Sequence, residues 1–552
     1  MQKEEIKDLL NVDLAPLSEN EITKSELEGL DACLLDLSAL ISPETFSIYK
    51  KFVVMKQNAP VGMKTELFNV IKNYIKEKIS QKCFADAIFM QRFLLVKSVV
   101  QPQIYFDVAE NLFSLDFEKS SESFAKIYQR TESNLPLKLL TLGNFYNISL
   151  KDYKTAIKFY EQYLKIDASK SVIYTILGNL YKKAYGDDSL NEQIYYYEQA
   201  HLLKPNDRLP LHCLAFGYEK LKNNEMAKKY YQKLLKNNST PTDYYNYGGF
   251  LISCGDLQNG HKYLTYRFEL DDVNLKYPQN LDLSKKWDFK QDLKDKTLLI
   301  HYEQGFGDTF MYCRFVPQFK NLAKKVIFVV QKEVFEVIKS SPLISEEIEI
   351  LPDNIELSQV DYDFNMALLD CPFALQIAVE NLPFTQGYLT VSEEKIEKYR
   401  KNNLRGSKNL KVGIAYQGNK SANYNGRDIE FSKFEKLLEL EKVDFYSFNM
   451  DFTSENGNII NLSNTFNTFE DTACALKNMD VVVSSDNVIL NLAGALGVPT
   501  LGLFNKYPNF RWFKLSGENV GWYDSVKPLQ TEVENQWMPV ISRVMNYIKT
   551  RI

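Results

Sequence analysis

The sequence predicts an all-helical array in series with parallel α/β sheets, and three observations carry that prediction. Residues 1 to about 270 keep apolar positions at spacings of three and four, broken by short Asn, Asp, Gly and Pro segments. Within that half a unit of ~34 residues recurs. From about residue 296 the grammar changes to short β-branched runs, Lys325-Val-Ile-Phe-Val-Val330, Lys411-Val-Gly-Ile-Ala415 and Asp480-Val-Val-Val-Ser484, alternating with helical segments. Such alternation belongs to parallel sheets joined by crossover helices.

At 552 residues the chain is too long for one core; at ~150 residues per domain it holds three or four. Apolar content of 45% and charged content of 25% describe a globular protein, and a net charge of −5 offers no global attraction to nucleic acid or an anionic membrane. Seven cysteines stand singly, and four histidines show no metal spacing. These predict a reduced, cytoplasmic compartment and no structural zinc. The start, Met-Gln-Lys-Glu-Glu-Ile, lacks an apolar h-region, and no run reaches the ~18 apolar residues of a membrane span.

The helical repeat is legible residue by residue. Leu142-Gly-x-x-Tyr146 leads to Ala156, Tyr160 and Tyr163, and Leu177-Gly-x-x-Tyr181 leads to Tyr197, Ala200 and Pro205. Leu214-Ala-x-x-Tyr218 leads to Ala227, Tyr231 and Leu234; Tyr247-Gly-x-x-Leu251 leads to Gly260 and Leu264. Small residues let two helices approach, and aromatics fill the gap between neighbouring units. This pattern resembles the tetratricopeptide (TPR) family. Residues 1–130 show no clean repeat and are either degenerate copies or a separate helical cap. The tyrosines of Tyr195-Tyr-Tyr197, Tyr230-Tyr231 and Tyr244-Tyr245 read first as packing, with a protein-binding groove as the alternative.

Three turns carry the chemistry. The run Leu298-Leu-Ile-His enters Tyr302-Glu-Gln-Gly-Phe-Gly-Asp308, followed by an expected helix over Phe310 to Ala323. Gly305 and Gly307 let a ligand approach the backbone. Asp308 either takes a proton from a bound hydroxyl or orders a helix start. Glu303 and Gln304 bind a sugar or shape the loop, while His301 reads as a strand-end residue. A second turn holds Gly413, Gly418 and Asn419, followed by Arg427 (with Lys420 as a substitute) before an expected helix over Phe431 to Leu440. Arg427 is either a cation for an anionic ligand or a plain surface charge. The third turn, Ser484-Ser485-Asp486-Asn487, precedes a small-residue helix from Val488 to Leu496 and suits phosphate or ribose binding, or is a helix cap only. Asp361-Tyr-Asp363 reads as a structural strand segment.

Taken in order, the stretch from Gly248 through Gly260, Tyr266-Arg267, Trp287, Glu303 to Thr309, Val412 to Asn419 with Arg427, Asp471-Thr472, Ser484 to Asn487 and Leu492 to Pro499 resembles bacterial TPR proteins with a glycosyltransferase domain similar to family nine, the heptosyltransferases. The resemblance covers about residues 135–525. It implies a TPR-like solenoid followed by two Rossmann-like domains, the α + α/β arrangement called GT-B. It also implies a nucleotide-sugar substrate and no metal or other cofactor. In that frame Asp308 is the base. Gly305, Gly307, Gly418, Asn419, Arg427, Ser484, Ser485, Asp486, Asn487 and Asn491 bind the donor; Glu303, Gln304 and Arg511 are further substrate contacts, Arg511-Trp512 matching part of a family Trp-Arg-Trp segment. Asn487 and Asn491 depart from the family's Thr and His, which leaves a donor-altered or inactive member open.

The expected domains are a helical region (1–130), repeats (131–270), a linker (271–295), an acceptor-side Rossmann-like domain (296–400), a nucleotide-sugar domain (405–530) and a C-terminal helix (531–552). The fold implies that this last helix, amphipathic over Trp537 to Ile548, crosses back onto the first Rossmann-like domain. The expected partner is a protein acceptor held by the repeats; a free glycan acceptor or a non-catalytic scaffold are the alternatives.

Overall fold

The computed structural model describes residues 3–11, 22–58, 61–97, 101–237, 239–270, 276–418, 426–450, 452 and 457–552. The chain divides into two compact units, Met1–Leu221 and Lys222–Ile552, so the division falls inside the third repeat. No described helix is long and apolar enough to cross a membrane.

The first unit is helical throughout its described residues, from Lys3–Asn11 to Arg208–Lys220. Short polar side chains start the repeat helices. Asn134 caps the amide of Leu137, Asp152 that of Thr155 and Asp207 that of Leu209. The glycines of the repeat signature have the expected function. A Cβ at Gly143 would lie 3.1 Å from the Tyr160 ring, and one at Gly178 would overlap Tyr197. Most of the tyrosine stripe is packing: Tyr160 and Tyr197 are buried, and Tyr181 and Tyr196 share one Glu161 oxygen at 2.8 Å each. Tyr195 is the exposed exception.

The backbone resolves what the sequence left open upstream. Residues with positive φ stand at Lys82, Asp116, Lys151, Gly186, Lys222 and Gly255, each at a turn between paired helices and spaced 33 to 36 residues apart. The repeat period therefore begins before residue 130. The Leu-Gly-x-x-Tyr signature is absent around Lys82 and Asp116, which hides the period from the sequence. At the front of the array the Arg92 guanidinium, 2% exposed, clasps Asp31 at 2.7 and 2.8 Å and Tyr49 at 3.1 Å. That clasp ties three helices through one buried charge.

The second unit opens with helices Asn224–Leu235, Pro241–Ser253 and Leu257–Leu264 and the turn Thr265–Glu269. Two parallel sheets follow. The first holds β1 (Thr297–His301), β2 (Lys325–Val330), β3 (Glu349–Pro352) and β4 (Phe364–Ala367), in the order β3-β2-β1-β4. The second holds β5 (Leu410–Ala415), β6 (Val443–Ser447), β7 (Ile459–Asn461), β8 (Val481–Ser485), β9 (Thr500–Phe504) and β10 (Val526–Gln530). Its order, β7-β6-β5-β8-β9-β10, is the 3-2-1-4-5-6 order of the doubly wound dinucleotide fold. Both sheets thus reverse direction beside their first strand, at β1/β4 and β5/β8, where such folds bind ligands outside the carboxyl ends. Helical repeats followed by parallel α/β sheets are the fold class that the sequence predicts.

Three local expectations are corrected. The segment after β1 is a short helix, Phe306–Tyr312, continued by a 3-10 stretch, Cys313–Asn321, that contains Pro317. Phe431 to Leu440 is two 3-10 turns. Its apolar residues Phe431, Phe434, Leu437 and Leu440 recur at every third position, and bonds of 2.8 to 3.1 Å link each to the next. Side chains three apart align in a 3-10 turn, so that spacing suits it better than an α-helix. Finally, the last helix, Met538–Lys549, packs Val540, Ile541, Val544 and Ile548 into the core of its own sheet rather than crossing back. The crossing to the second sheet is made by Glu393–Asn403, through Lys395 on Glu470 and the Ile396 carbonyl on Asn478. Of the expected linker, residues 271–275 lie outside the described residues; Trp287 beyond them is buried and its amide bonds Asn365 at 2.9 Å.

Candidate active site

Four charged side chains from four strand-end loops define the site. Asp308 follows β1, Arg427 follows β5, Asp486 follows β8 and Arg511 follows β9. The Arg511 guanidinium forms an ion pair with Asp308 Oδ1 at 2.9 Å, and the Gly305 amide donates to Asp308 Oδ2 at 3.1 Å. Burial opposes the charge on Arg511, but Asp308, then Tyr312, Tyr245 and Asp486, outweigh it and raise its pKa. Its Nε is buried and makes no hydrogen bond. Burial raises the Asp486 carboxyl above its ordinary value. A hydrogen bond from Trp512 and the charges of Arg511 and Arg427 counteract that, while Asp308 adds to it. The two carboxylates and two guanidinium groups thus share one electrostatic neighbourhood.

Gly418 fits a supporting role. Its amide bonds Asp428 at 2.9 Å, and a Cβ there would come within 2.8 Å of the Arg427 guanidinium carbon. The Arg427 head therefore lies against bare backbone. Asn419 and Lys420 lie outside the described residues. Gly305 is exposed, with only Asp308 within reach of an added Cβ, so the loop mouth is open there.

Several predicted site residues are committed elsewhere. Gly307 faces the helix Val488–Ala495: a Cβ would lie 3.1 Å from Asn491 Nδ2 and 3.6 Å from Val488 Cα. Its bareness serves helix crossing, not ligand approach. Glu303 is fully buried, with both oxygens on Arg267 at 2.6 and 2.5 Å, and Arg267 also reaches Asp370 at 2.6 Å. It is a structural carboxylate. Gln304 adopts φ +68° and its amide bonds Lys276 at 2.8 Å, which shapes the loop. Ser484 and Ser485 are fully buried. The Ser484 hydroxyl donates to the Ser485 carbonyl at 2.9 Å and to Asn487 at 3.1 Å.

Asn487 caps Ile489 and Leu490 at 2.8 and 3.4 Å, and its amide nitrogen reaches Ser485 at 3.2 Å and the Ala415 and Gln417 carbonyls at 3.4 Å. Asn491 donates to the Asn487 carbonyl at 3.2 Å and accepts from Tyr523 at 3.0 Å. The turn after β8 therefore spends its hydroxyls and carboxamides on itself, leaving Asp486 to face the cluster. That is the helix-cap alternative for every member but one.

His301 bonds the Tyr302 carbonyl at 2.8 Å, and burial pushes its pKa down to about 4. Asp361-Tyr-Asp363 is not itself a strand but lies just ahead of β4, where Asp363 accepts from the Thr297 amide at 2.8 Å and braces the start of β1. Trp512 is buried with its ring 5.0 Å from Phe504. Among the described residues no three His, Cys, Asp or Glu side chains are grouped to hold a metal ion. Sequence reasoning missed His261 and Tyr312, and gave Tyr245 and Arg267 no place at the site, although all four surround the same loops. The available signal was weak: a lone His at a buried helix position, and an Arg following Tyr266 where the repeat ends.

No family model matches the chain. Its sequence is similar to Protein FlbA of Caulobacter vibrioides, 22% identical over 390 residues, and the chain spans 64% of that relative's length, with 64% of its own length matched. Among solved structures it is similar to the family 9 glycosyl transferase of Veillonella parvula, with 12% identity, 48% of this chain and 99% of that chain covered, and a TM-score of 0.35. It is also similar to the C-terminal part of a TPR repeat-containing protein of Cytophaga hutchinsonii, with 16% identity, coverage of 36% and 78%, and a TM-score of 0.31.

Proposed function

We propose that this chain transfers a sugar from a nucleoside-diphosphate sugar to an acceptor hydroxyl, with Asp308 as base and Arg427 and Arg511 as cationic partners of the departing diphosphate. One observation carries the reading: Asp308, Arg427, Asp486 and Arg511 converge from the carboxyl ends of two sheets with Rossmann-type strand order. Transfer needs a proton acceptor beside positive charge fixed in advance. The acceptor O–H proton passes to the Asp308 carboxylate. The acceptor oxygen bonds the anomeric carbon as that carbon's bond to the diphosphate oxygen breaks. The diphosphate keeps the electron pair, and the guanidinium groups offset its charge. The acceptor in this reading is a protein segment, since a superhelical repeat surface suits an extended peptide.

Thermal denaturation with UDP, GDP, ADP, CDP and their sugars, in the presence of EDTA, tests the donor site. Ligand at ~100 times its dissociation constant stabilises by about 2.7 kcal/mol, so one nucleotide should raise the midpoint while Arg427→Ala loses the rise. No response to any nucleotide favours a non-catalytic scaffold. Turnover on free glycans but not on protein assigns the repeats to assembly.

A further inference from the structure

The last helix pair of the repeat array touches all the loops that hold Asp308 and Arg511. Arg267, at the end of that pair, clasps Glu303 in the loop leading to Asp308. Tyr245 sets its ring edge-to-face on Phe510 at 6.1 Å, and Gly249 leaves room for the same Phe510, whose neighbour is Arg511. His261, fully buried, bonds the Leu257 carbonyl at 2.7 Å through Nδ1 and the Tyr312 hydroxyl at 3.1 Å through Nε2. Tyr312 closes the helix that bears Asp308.

The proton positions follow from this geometry. Burial pushes the His261 pKa down to about 3, with Arg267 and Arg511 adding to the shift against the Leu257 bond. The ring is therefore neutral. A carbonyl only accepts, so Nδ1 carries the hydrogen and Nε2 accepts from Tyr312. Burial also raises the Tyr312 phenol, which stays protonated, with Arg511, Asp308, Arg267 and Tyr523 in its field. Tyr312 stands one turn after Asp308 on the same short helix, so its bond to His261 anchors the helix that carries Asp308 of the Asp308–Arg511 pair.

We propose that the helix pair Pro241–Ser253 and Leu257–Leu264 is a wall of the transfer site, and that His261, acting through the Tyr312 hydroxyl, positions the Asp308–Arg511 pair. Both are positioning residues; neither touches the substrate. The proposal rests on reading the cluster as a transfer site. It makes the last repeat part of the catalytic unit, while the earlier repeats keep any docking role.

The test uses the full chain with Tyr312→Phe, His261→Leu and His261→Gln. Gln retains an acceptor for Tyr312 and a donor for Leu257. Tyr312→Phe and His261→Leu should lower kcat by about tenfold with donor KM within about twofold, the signature of an interaction needed in the transition state. His261→Gln should recover most of that loss. Unchanged kcat in Tyr312→Phe, or a KM increase that tracks a lower melting midpoint, overturns the proposal. If the wild type transfers no sugar at all, the functional reading has failed, and the positioning claim is then read from stability. Tyr312→Phe and Arg511→Lys should shift the midpoint non-additively, by about 2 °C or more, because coupled residues fail to add. Additive shifts overturn it.

Discussion

The turns after β1 and β8 look alike in sequence and differ in what their polar groups do. Each follows a buried strand, carries a carboxylate and opens a short helix. After β1, Asp308 closes its own loop with one oxygen and meets the Arg511 cation with the other. After β8, Ser484, Ser485, Asn487 and Asn491 satisfy one another, the helix amides and Tyr523, and Asp486 alone faces Arg427 and Arg511. A buried polar group already bonded at home has little to offer a ligand, because breaking its bonds costs about what a new one returns. One turn directs its carboxylate to a neighbouring loop, and the other spends most of its polar groups on its own sheet end.

Substitutions sharpen that contrast. Arg427→Ala should weaken nucleoside diphosphate binding by about a hundredfold, roughly 2.7 kcal/mol, measured by isothermal calorimetry; unchanged affinity moves the phosphate site away from β5. Asn487→Ala should cost about 2 kcal/mol of stability, seen in urea unfolding, while the folded variant keeps donor affinity. A specific loss of affinity with stability unchanged would return Asn487 to the donor site.

Asp486→Asn tests the raised carboxyl. A carboxyl whose folded pKa exceeds its unfolded value adds stability below the ordinary carboxylate range, and that contribution is lost as pH rises through the folded value. The variant should therefore gain on the wild type as pH increases from about 4, with the two curves converging in acid. The opposite trend means that the arginines outweigh burial. Ser485→Ala should be the mildest, costing about 1 kcal/mol with no effect on turnover.

The sequence showed the fold wherever the period was written in side chains: the Leu-Gly-x-x-Tyr units and the β-branched runs. It failed where the side-chain signature was missing, as around Lys82 and Asp116, or where the spacing of three in Phe431, Phe434, Leu437 and Leu440 selected 3-10 turns. For the candidate site, residue types and turn positions pointed to Asp308, Arg427 and Asp486, and the family resemblance to Arg511. Their convergence, and the commitment of Glu303 to Arg267 or of Asn491 to Tyr523, are long-range pairings that spacing along the chain does not encode.

The account turns on Asp308 acting as a base rather than only as a helix cap. The direct measurement is the rate of nucleoside diphosphate release from the nucleotide sugar that the wild type binds, with acceptor present, in wild type and Asp308→Asn. The account predicts equal nucleotide affinity and a loss of about a thousandfold in kcat. Wild-type turnover by Asp308→Asn would contradict it and leave Asp308 as the residue that closes the loop.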